Sequence, residues 1–303
     1  MLLAIDGTGP ELVFHNRDDD FKYALDNRDS HVSRMHRESS EQNKRYFRGS
    51  TKVGENLISI VDQAMEWLKS AVWASPRDTK LYLFGHSRGG LGVIEVARRL
   101  KALSDQKRAT SQFITKSHNN LYTATKASIA GTQLDLPDVA NLQVVCVALF
   151  DCVDRDPLLD ATDVPANVQY CFHAMRNPAI WSRISFSNDA TYAADPTKTT
   201  FQKKFFWGTH AALGGTPWTG DKPSVLIFRP GSLVKELPGL GTIDGEKPTG
   251  WMGRTEFVPT ISEAEDRAAS FAVWRWMSDN VSSVTQTDGS KRRLLGDPSM
   301  NWS

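Results

Sequence analysis

The chain has 303 residues, with 36 Lys+Arg against 35 Asp+Glu, 40% hydrophobic residues and 23% charged residues. A chain of this length buries about three-quarters of the surface it exposes when unfolded, and so much apolar residue argues against a disordered polymer. Near-neutral charge excludes the basic footprint of a general nucleic-acid binder, and no apolar run reaches the roughly 20 residues of a membrane-spanning helix.

Leu2 to Ile5 is a short apolar run that stops at Asp6-Gly7-Thr8-Gly9-Pro10, the pattern of a buried strand ending in a loop. The opening residues carry no basic leader, so no signal peptide is expected and synthesis in the cytoplasm is. Arg17 to Arg48 mixes both charge signs with little apolar periodicity and reads as a surface insertion. From Leu57 to Val72, the residues Leu57, Ile60, Val61, Ala64, Met65, Leu68 and Val72 recur at helical spacing. Leu81 to Phe84 is the next buried strand, and it leads through Gly89-Gly90 into a helix carrying Leu91, Ile94, Val96, Ala97 and Leu100.

Ser104 to Asp138 is polar and reads as a second insertion. Leu142 to Phe150 is the longest apolar run, the pattern of a central parallel strand covered on both faces. Val168 to Phe172, Phe205 to Trp207 and Val225 to Phe228 are further strand candidates. A closing helix is expected over Glu263 to Val281, packing through Ala268, Ala269, Phe271, Ala272, Trp276 and Met277. The cysteines Cys146, Cys152 and Cys171 lack metal-ligand spacing and read as buried thiols, and no metal or cofactor is expected.

Alternating strands and helices argue for an α/β fold with a mainly parallel central sheet and helices on both faces. The expected organisation is one domain over residues 1–303, with surface insertions near 11–50 and 104–140. A candidate acyl-binding lid lies near 230–258, where Leu233, Leu240 and Trp251 could equally pack on the core.

The sharpest local signal is Gly85-His86-Ser87-Arg88-Gly89, which fits Gly-x-Ser-x-Gly, the nucleophile elbow of α/β-hydrolases. A serine at the tip of a tight strand-to-helix turn needs small residues two positions to either side. The bare pattern arises by chance in about one chain of this length in ten, so the flanking strand and helix carry the weight. Ser87 is the candidate nucleophile. Asp151 is the first polar residue after the strongest strand, where the orienting acid of a Ser…Asp…His order belongs, with Asp154 and Asp156 as competitors. Among the histidines, His86 belongs to the elbow, His118 to the polar insertion, and His173 reads as a core residue. His210 lies on a glycine-flanked loop behind the aromatic run ending at Trp207, and is the candidate base. The backbone of Arg88 and of the Gly7–Thr8 turn supplies candidate oxyanion donors. Asp6, His86 and Trp207 are candidate substrate contacts, and Asp6 could equally brace its own loop.

Four separated segments now form a set: Ile5-Asp6-Gly7-Thr8, Gly85-His86-Ser87-Arg88-Gly89, Leu149-Phe150-Asp151, and Trp207-Gly208-Thr209-His210 running to Gly214-Gly215. Together they resemble the α/β-hydrolase domain of bacterial type VI secretion lipase effectors and their uncharacterised relatives. Against that family's pattern, His86 replaces an aromatic residue, Gly90 an alanine, Cys152 a threonine, and Ala212 the aspartate that follows the histidine. The resemblance implies a Ser87–Asp151–His210 triad, hydrolysis of phospholipid esters, contact with a membrane surface, delivery by a secretion apparatus and a cognate immunity protein. Two other readings stand beside it. One is a hydrolase of small soluble esters or thioesters, favoured by the short chain. The other is a hydrolase-fold binding protein without activity.

Overall fold

The computed structural model describes residues 1–7, 30–50, 56–117, 138–153, 159, 162–177, 180–181, 188–217, 226–227, 261–284 and 294–295. Thr8, His118, Asp154, Asp156 and the candidate lid at 230–258 lie outside them. In chain order the elements are β1 (Leu2–Ile5), α1 (His31–Glu38), β2 (Lys44–Phe47), α2 (Leu57–Ala74), β3 (Lys80–His86), α3 (Arg88–Ser117), β4 (Gln143–Phe150), β5 (Val168–Arg176), β6 (Ile180–Trp181), β7 (Thr200–Phe206), α4 (His210–Leu213), β8 (Leu226–Ile227) and α5 (Glu263–Ser282). Six strands form one sheet in the order β2-β1-β3-β4-β5-β7, and every neighbouring pair in it is parallel. β6 and β8 form a separate antiparallel pair.

The sheet divides its own side chains. Leu3, Ile5, Leu81, Leu83, Val147 and Leu149 join α2 and α3 in one core, whereas Leu2, Ala4, Tyr82, Phe84, Cys146, Ala148 and Phe150 join α1 and α5 in the other. Period-2 alternation sends successive residues to opposite faces. Because helices cover both faces, the central strands must be apolar throughout, which is why they read as unbroken runs. Each fully buried Leu, Val or Phe contributes about 1.5–3 kcal/mol of transfer free energy.

The expected α2 stripe is buried as spaced, from Leu57 to Val72. The three cysteines are free and buried. Three expectations need correction. The first insertion is in part core: α1 buries His31, Val32, Ser33 and Met35, and β2 is the edge strand beside β1. Few of their residues are apolar, because α1 meets the core with a histidine and a serine and β2 is an edge. The second insertion begins later than expected, since α3 runs on to Ser117 with exposed charged side chains on its later turns. On α5, Ala268, Phe271 and Ala272 are exposed, and the inward stripe is Asp266, Ala269, Ser270, Val273, Trp274, Met277, Ser278 and Val281. That stripe starts from Asp266, whose carboxylate is tied to the loop below it.

The helix begins with a capping box. Glu265 N–H donates to Ser262 Oγ at 3.2 Å, and Ser262 N–H donates back to Glu265 Oε2 at 2.9 Å. Two otherwise unpaired donors of the first turn are thereby satisfied.

Candidate active site

In a parallel sheet all strands end on one side, and active sites of α/β folds gather there. Asp6 follows β1, Ser87 follows β3, Asp151 follows β4, and His210 comes four residues after β7. Ser87 has a φ of 55° and Asp151 a φ of 44°. Positive φ is uncommon outside glycine and marks backbone held in place by its surroundings. At Ser87 the holding groups are explicit: its N–H donates to the Phe150 carbonyl at 3.0 Å, and its own carbonyl accepts from Gly90 N–H at 3.0 Å. The steric argument for the flanking glycines also holds. A Cβ on Gly85 would lie 2.7 Å from Gly90 Cα, and one on Gly89 would overlap the carbonyl oxygens of Ile5 and Asp6.

The serine, the aspartate and the histidine meet. Ser87 Oγ lies 2.9 Å from His210 Nε2, and His210 Nδ1 lies 2.6 Å from Asp151 Oδ2. A carboxylate only accepts, so Nδ1 carries the proton and Nε2 presents its lone pair to the serine hydroxyl. All three side chains are buried, with Asp151 at 0% exposure, Ser87 at 2% and His210 at 4%.

Asp151 is surrounded by donors. Its Oδ1 accepts from the Arg176 backbone N–H at 3.0 Å and from Asn188 Nδ2 at 2.7 Å, and Arg176 Nε stands 3.4 Å from Oδ2. Burial alone would push its pKa up, but the Arg176 guanidinium and the His210 hydrogen bond outweigh it and hold the carboxyl well below the usual range. Asp151 therefore stays ionised.

The His210 loop is tied from the other side. Thr209 N–H donates to Asp266 Oδ1 at 2.7 Å and Thr209 Oγ to Asp266 Oδ2 at 3.0 Å, while the same hydroxyl accepts from Ala212 N–H at 3.0 Å. The sequence has Ala212 where the resembled family has an aspartate. The carboxylate that braces the loop in this chain comes from α5, at Asp266. Arg176, Asn188 and Asp266 were not among the residues singled out from sequence. Only Asp266 had a local signal, the Ser262-x-x-Glu265 helix start that places it in a first turn.

The other expected site residues are placed as follows. Asp6 is 2% exposed, and its carboxylate accepts from Gly7 N–H at 2.7 Å, Ser30 Oγ at 2.6 Å and Tyr46 OH at 2.6 Å. It braces the end of β1. Gly7 N–H is thereby engaged by Asp6. Arg88 is buried as the first residue of α3, so its amide belongs to the helix turn whose N–H groups aim at the elbow. The His86 ring lies against His210, with centroids 4.8 Å apart and planes at 33°. Trp207 is 43% exposed. His173 is the core residue it was read as, its Nδ1–H donating to the Ala190 carbonyl and its Nε2 accepting from Cys152 N–H, each at 3.1 Å.

A parallel sheet covered on both faces, a serine at a strained turn between strand and helix, and an aspartate and a histidine from later strand ends define an α/β-hydrolase fold. No family model matches the chain, and no curated protein does. Among solved structures it is similar to the Tle1 effector bound to the VgrG spike of the type 6 secretion system, at 15% identity and a TM-score of 0.41, over 78% of this chain and 52% of that one. The chain thus spans about half the length of that neighbour. It is also similar to RedJ, the thioesterase of the prodiginine pathway of Streptomyces coelicolor, at 15% identity and a TM-score of 0.26, over 71% of this chain and 80% of that one. Among the described residues no helix is long and apolar enough to cross a membrane, and no group of His, Cys, Asp and Glu side chains could hold a metal ion.

Proposed function

We propose that the protein is a serine ester hydrolase acting on lipid esters, phospholipids among them, through Ser87, His210 and Asp151. The observation that carries the proposal is the unbroken hydrogen-bond relay from Ser87 Oγ through His210 to Asp151, at 2.9 and 2.6 Å. His210 Nε2 takes the Ser87 proton as Oγ attacks the ester carbonyl, and the ionised Asp151 holds the ring and stabilises its charged form. The tetrahedral oxyanion is taken by the backbone amides of Arg88 and of Gly7 and Thr8. Gly7 N–H joins in only by leaving Asp6 Oδ1. His210 then protonates the leaving alcohol, the carbon–oxygen bond breaks, and water repeats the sequence on the acyl-enzyme.

The lipid half of the proposal is supported by the end of β7. Phe205 is 46% and Trp207 43% exposed. Alternate positions share a side of a strand, so Lys203 and Phe205 lie on one side of β7, and Trp207 follows in the bend before His210. Aromatic rings beside cationic side chains suit the interface of a membrane. With the four-motif resemblance, this is the basis for extending the proposal to an antibacterial effector with a membrane-surface substrate, a secretion apparatus that delivers it and a cognate immunity protein.

The test is fatty-acid release from phospholipid vesicles, beside short-chain p-nitrophenyl esters, for the native protein and Ser87→Ala. Vesicle hydrolysis that disappears in the variant supports the lipid reading. Cleavage confined to the soluble esters moves the substrate to small esters or thioesters. A folded protein that cleaves neither and resists fluorophosphonate labelling is a binding protein on a hydrolase fold.

A further inference from the structure

His86 precedes the nucleophile, and its ring bridges two other parts of the site. Its Nε2 lies 3.3 Å from the His210 carbonyl oxygen. A carbonyl only accepts, so Nε2 is the protonated, donating nitrogen. On the other side Nδ1 faces Asp6 Oδ1 at 3.8 Å, and Asp6 is itself held by Ser30 and Tyr46. The ring also lies tilted against the His210 imidazole, with centroids 4.8 Å apart.

The space for this ring is shaped by two glycines. A Cβ on Gly214 would stand 2.6 Å from His86 Nδ1 and Nε2, and one on Gly7 would stand 2.9 Å from Cε1. Gly7 follows the end of β1 and Gly214 ends the short helix that carries His210, so both walls of the slot belong to elements His86 ties together. The His210 carbonyl also accepts a long 3.3 Å bond from Gly214 N–H.

We propose that His86 is a positioning residue for His210. Its Nε2–H fixes the backbone of the base and its ring face sets the tilt of the imidazole, with the Asp6 cluster as the anchor behind it. The inference rests on the hydrolase reading above and deepens it, giving His86 a role in place of the substrate contact expected from sequence. A small displacement of a catalytic group is enough to slow turnover about a hundredfold, so an anchor at the elbow's own strand end has a large lever.

The experiment compares His86→Phe, which keeps a flat ring and removes the donor, with His86→Gln, whose amide nitrogen reaches the position of Nε2. Two readouts are taken: kcat and KM on a p-nitrophenyl ester, and the low-field proton resonance of His210 Nδ1–H. His86→Phe is expected to lower kcat about tenfold to a hundredfold with KM unchanged and to shift or broaden the resonance, and His86→Gln to restore both. Unchanged kcat and resonance in His86→Phe overturns the proposal. So does an equal loss in both variants when both unfold at the native temperature. The resonance reads the position of His210 whether or not any ester is cleaved. A native protein that shows the resonance and its dependence on His86 but turns nothing over therefore removes the hydrolase reading and leaves the positioning role standing.

Discussion

The carboxyl ends of β1 and β4 are built from the same parts. Each carries a buried aspartate with its oxygens satisfied, and each faces a histidine, His86 for Asp6 and His210 for Asp151. The two rings even touch, tilted at 33° to each other. The differences lie in the partners. Asp151 is 2.6 Å from its histidine and has the Arg176 guanidinium beside it, whereas Asp6 is 3.8 Å from His86 and accepts chiefly from hydroxyls and a backbone amide. The far nitrogen of His210 meets the hydroxyl of Ser87, and that of His86 meets a carbonyl. A hydroxyl has a proton to give and a carbonyl has none. One Asp–His pair can therefore act as a base and the other only as a brace, and the atom on the far side decides which.

The largest effects fall on the β4 side. Ser87→Ala removes the nucleophile, and Asp151→Asn removes the acceptor that fixes the His210 tautomer. Losses in kcat of about 10⁶-fold for Ser87→Ala and about 10⁴-fold for Asp151→Asn are expected, measured on whichever ester the native protein cleaves best, and Ser87→Ala also abolishes fluorophosphonate labelling. Asp6→Asn should act on stability instead. It weakens hydrogen bonds from Ser30 and Tyr46 to a buried charge, at about 1–3 kcal/mol by denaturant unfolding, with kcat within about tenfold of native. If Asp6→Asn matched Asp151→Asn in kcat while remaining folded, the division of labour between the two ends would be wrong.

Acid separates the histidines of the two ends from their carboxylates. Burial keeps His173, beside Asp151, uncharged and lowers its pKa to about 4, partly opposed by its bond to the Ala190 carbonyl. Burial, and then the nearby His86, lower that of His31 to about 3. Both folded values lie below the ordinary 6.5, so as pH falls the unfolded chain takes up protons first and gains. Their contribution is complete above pH 6.5 and is lost as pH falls toward 4 and 3. Asp6 and Asp151 are also depressed, from 3.8, so what they contribute is present above that value and is lost only below it. Melting temperature should decline from about pH 6.5 to 4 before Asp6 or Asp151 protonates. His173→Asn should melt lower at pH 8 and show a smaller decline. An undiminished decline in that variant would assign the acid sensitivity elsewhere.

What could be read from sequence follows the same physical line. β1, β3 and β4 announced themselves because two covered faces require unbroken apolar runs, and the Ser87 elbow because its turn tolerates only small flanking residues. β2 and α1 did not, since an edge strand and a helix that buries a histidine and a serine carry no apolar period. β5 runs past Phe172 to Arg176, where His173 is buried through hydrogen bonds and the Arg176 guanidinium pairs with Asp151. The triad was legible because each member ends a recognisable strand or opens a glycine-flanked loop. Its supports were not: Tyr46, Arg176, Asn188 and Asp266 reach their partners across the chain, and no short-range spacing encodes such a meeting.

The smallest effect tests how far the β4 constellation extends. Asp266 holds Thr209, the residue before His210, and it sits in the first turn of α5, directly after the capping box of Ser262 and Glu265. Ser262→Ala removes the cap and should cost about 1 kcal/mol, read by denaturant unfolding. Asp266 has two bonds of its own to Thr209, so the helix start can loosen without releasing the loop, and kcat should not change. A fall in kcat larger than about twofold would show that the first turn of α5 acts as part of the site. His210 would then be held from three ends of the fold, by Asp151, by the His86–Asp6 pair and by α5, and comparing only two of them would be incomplete.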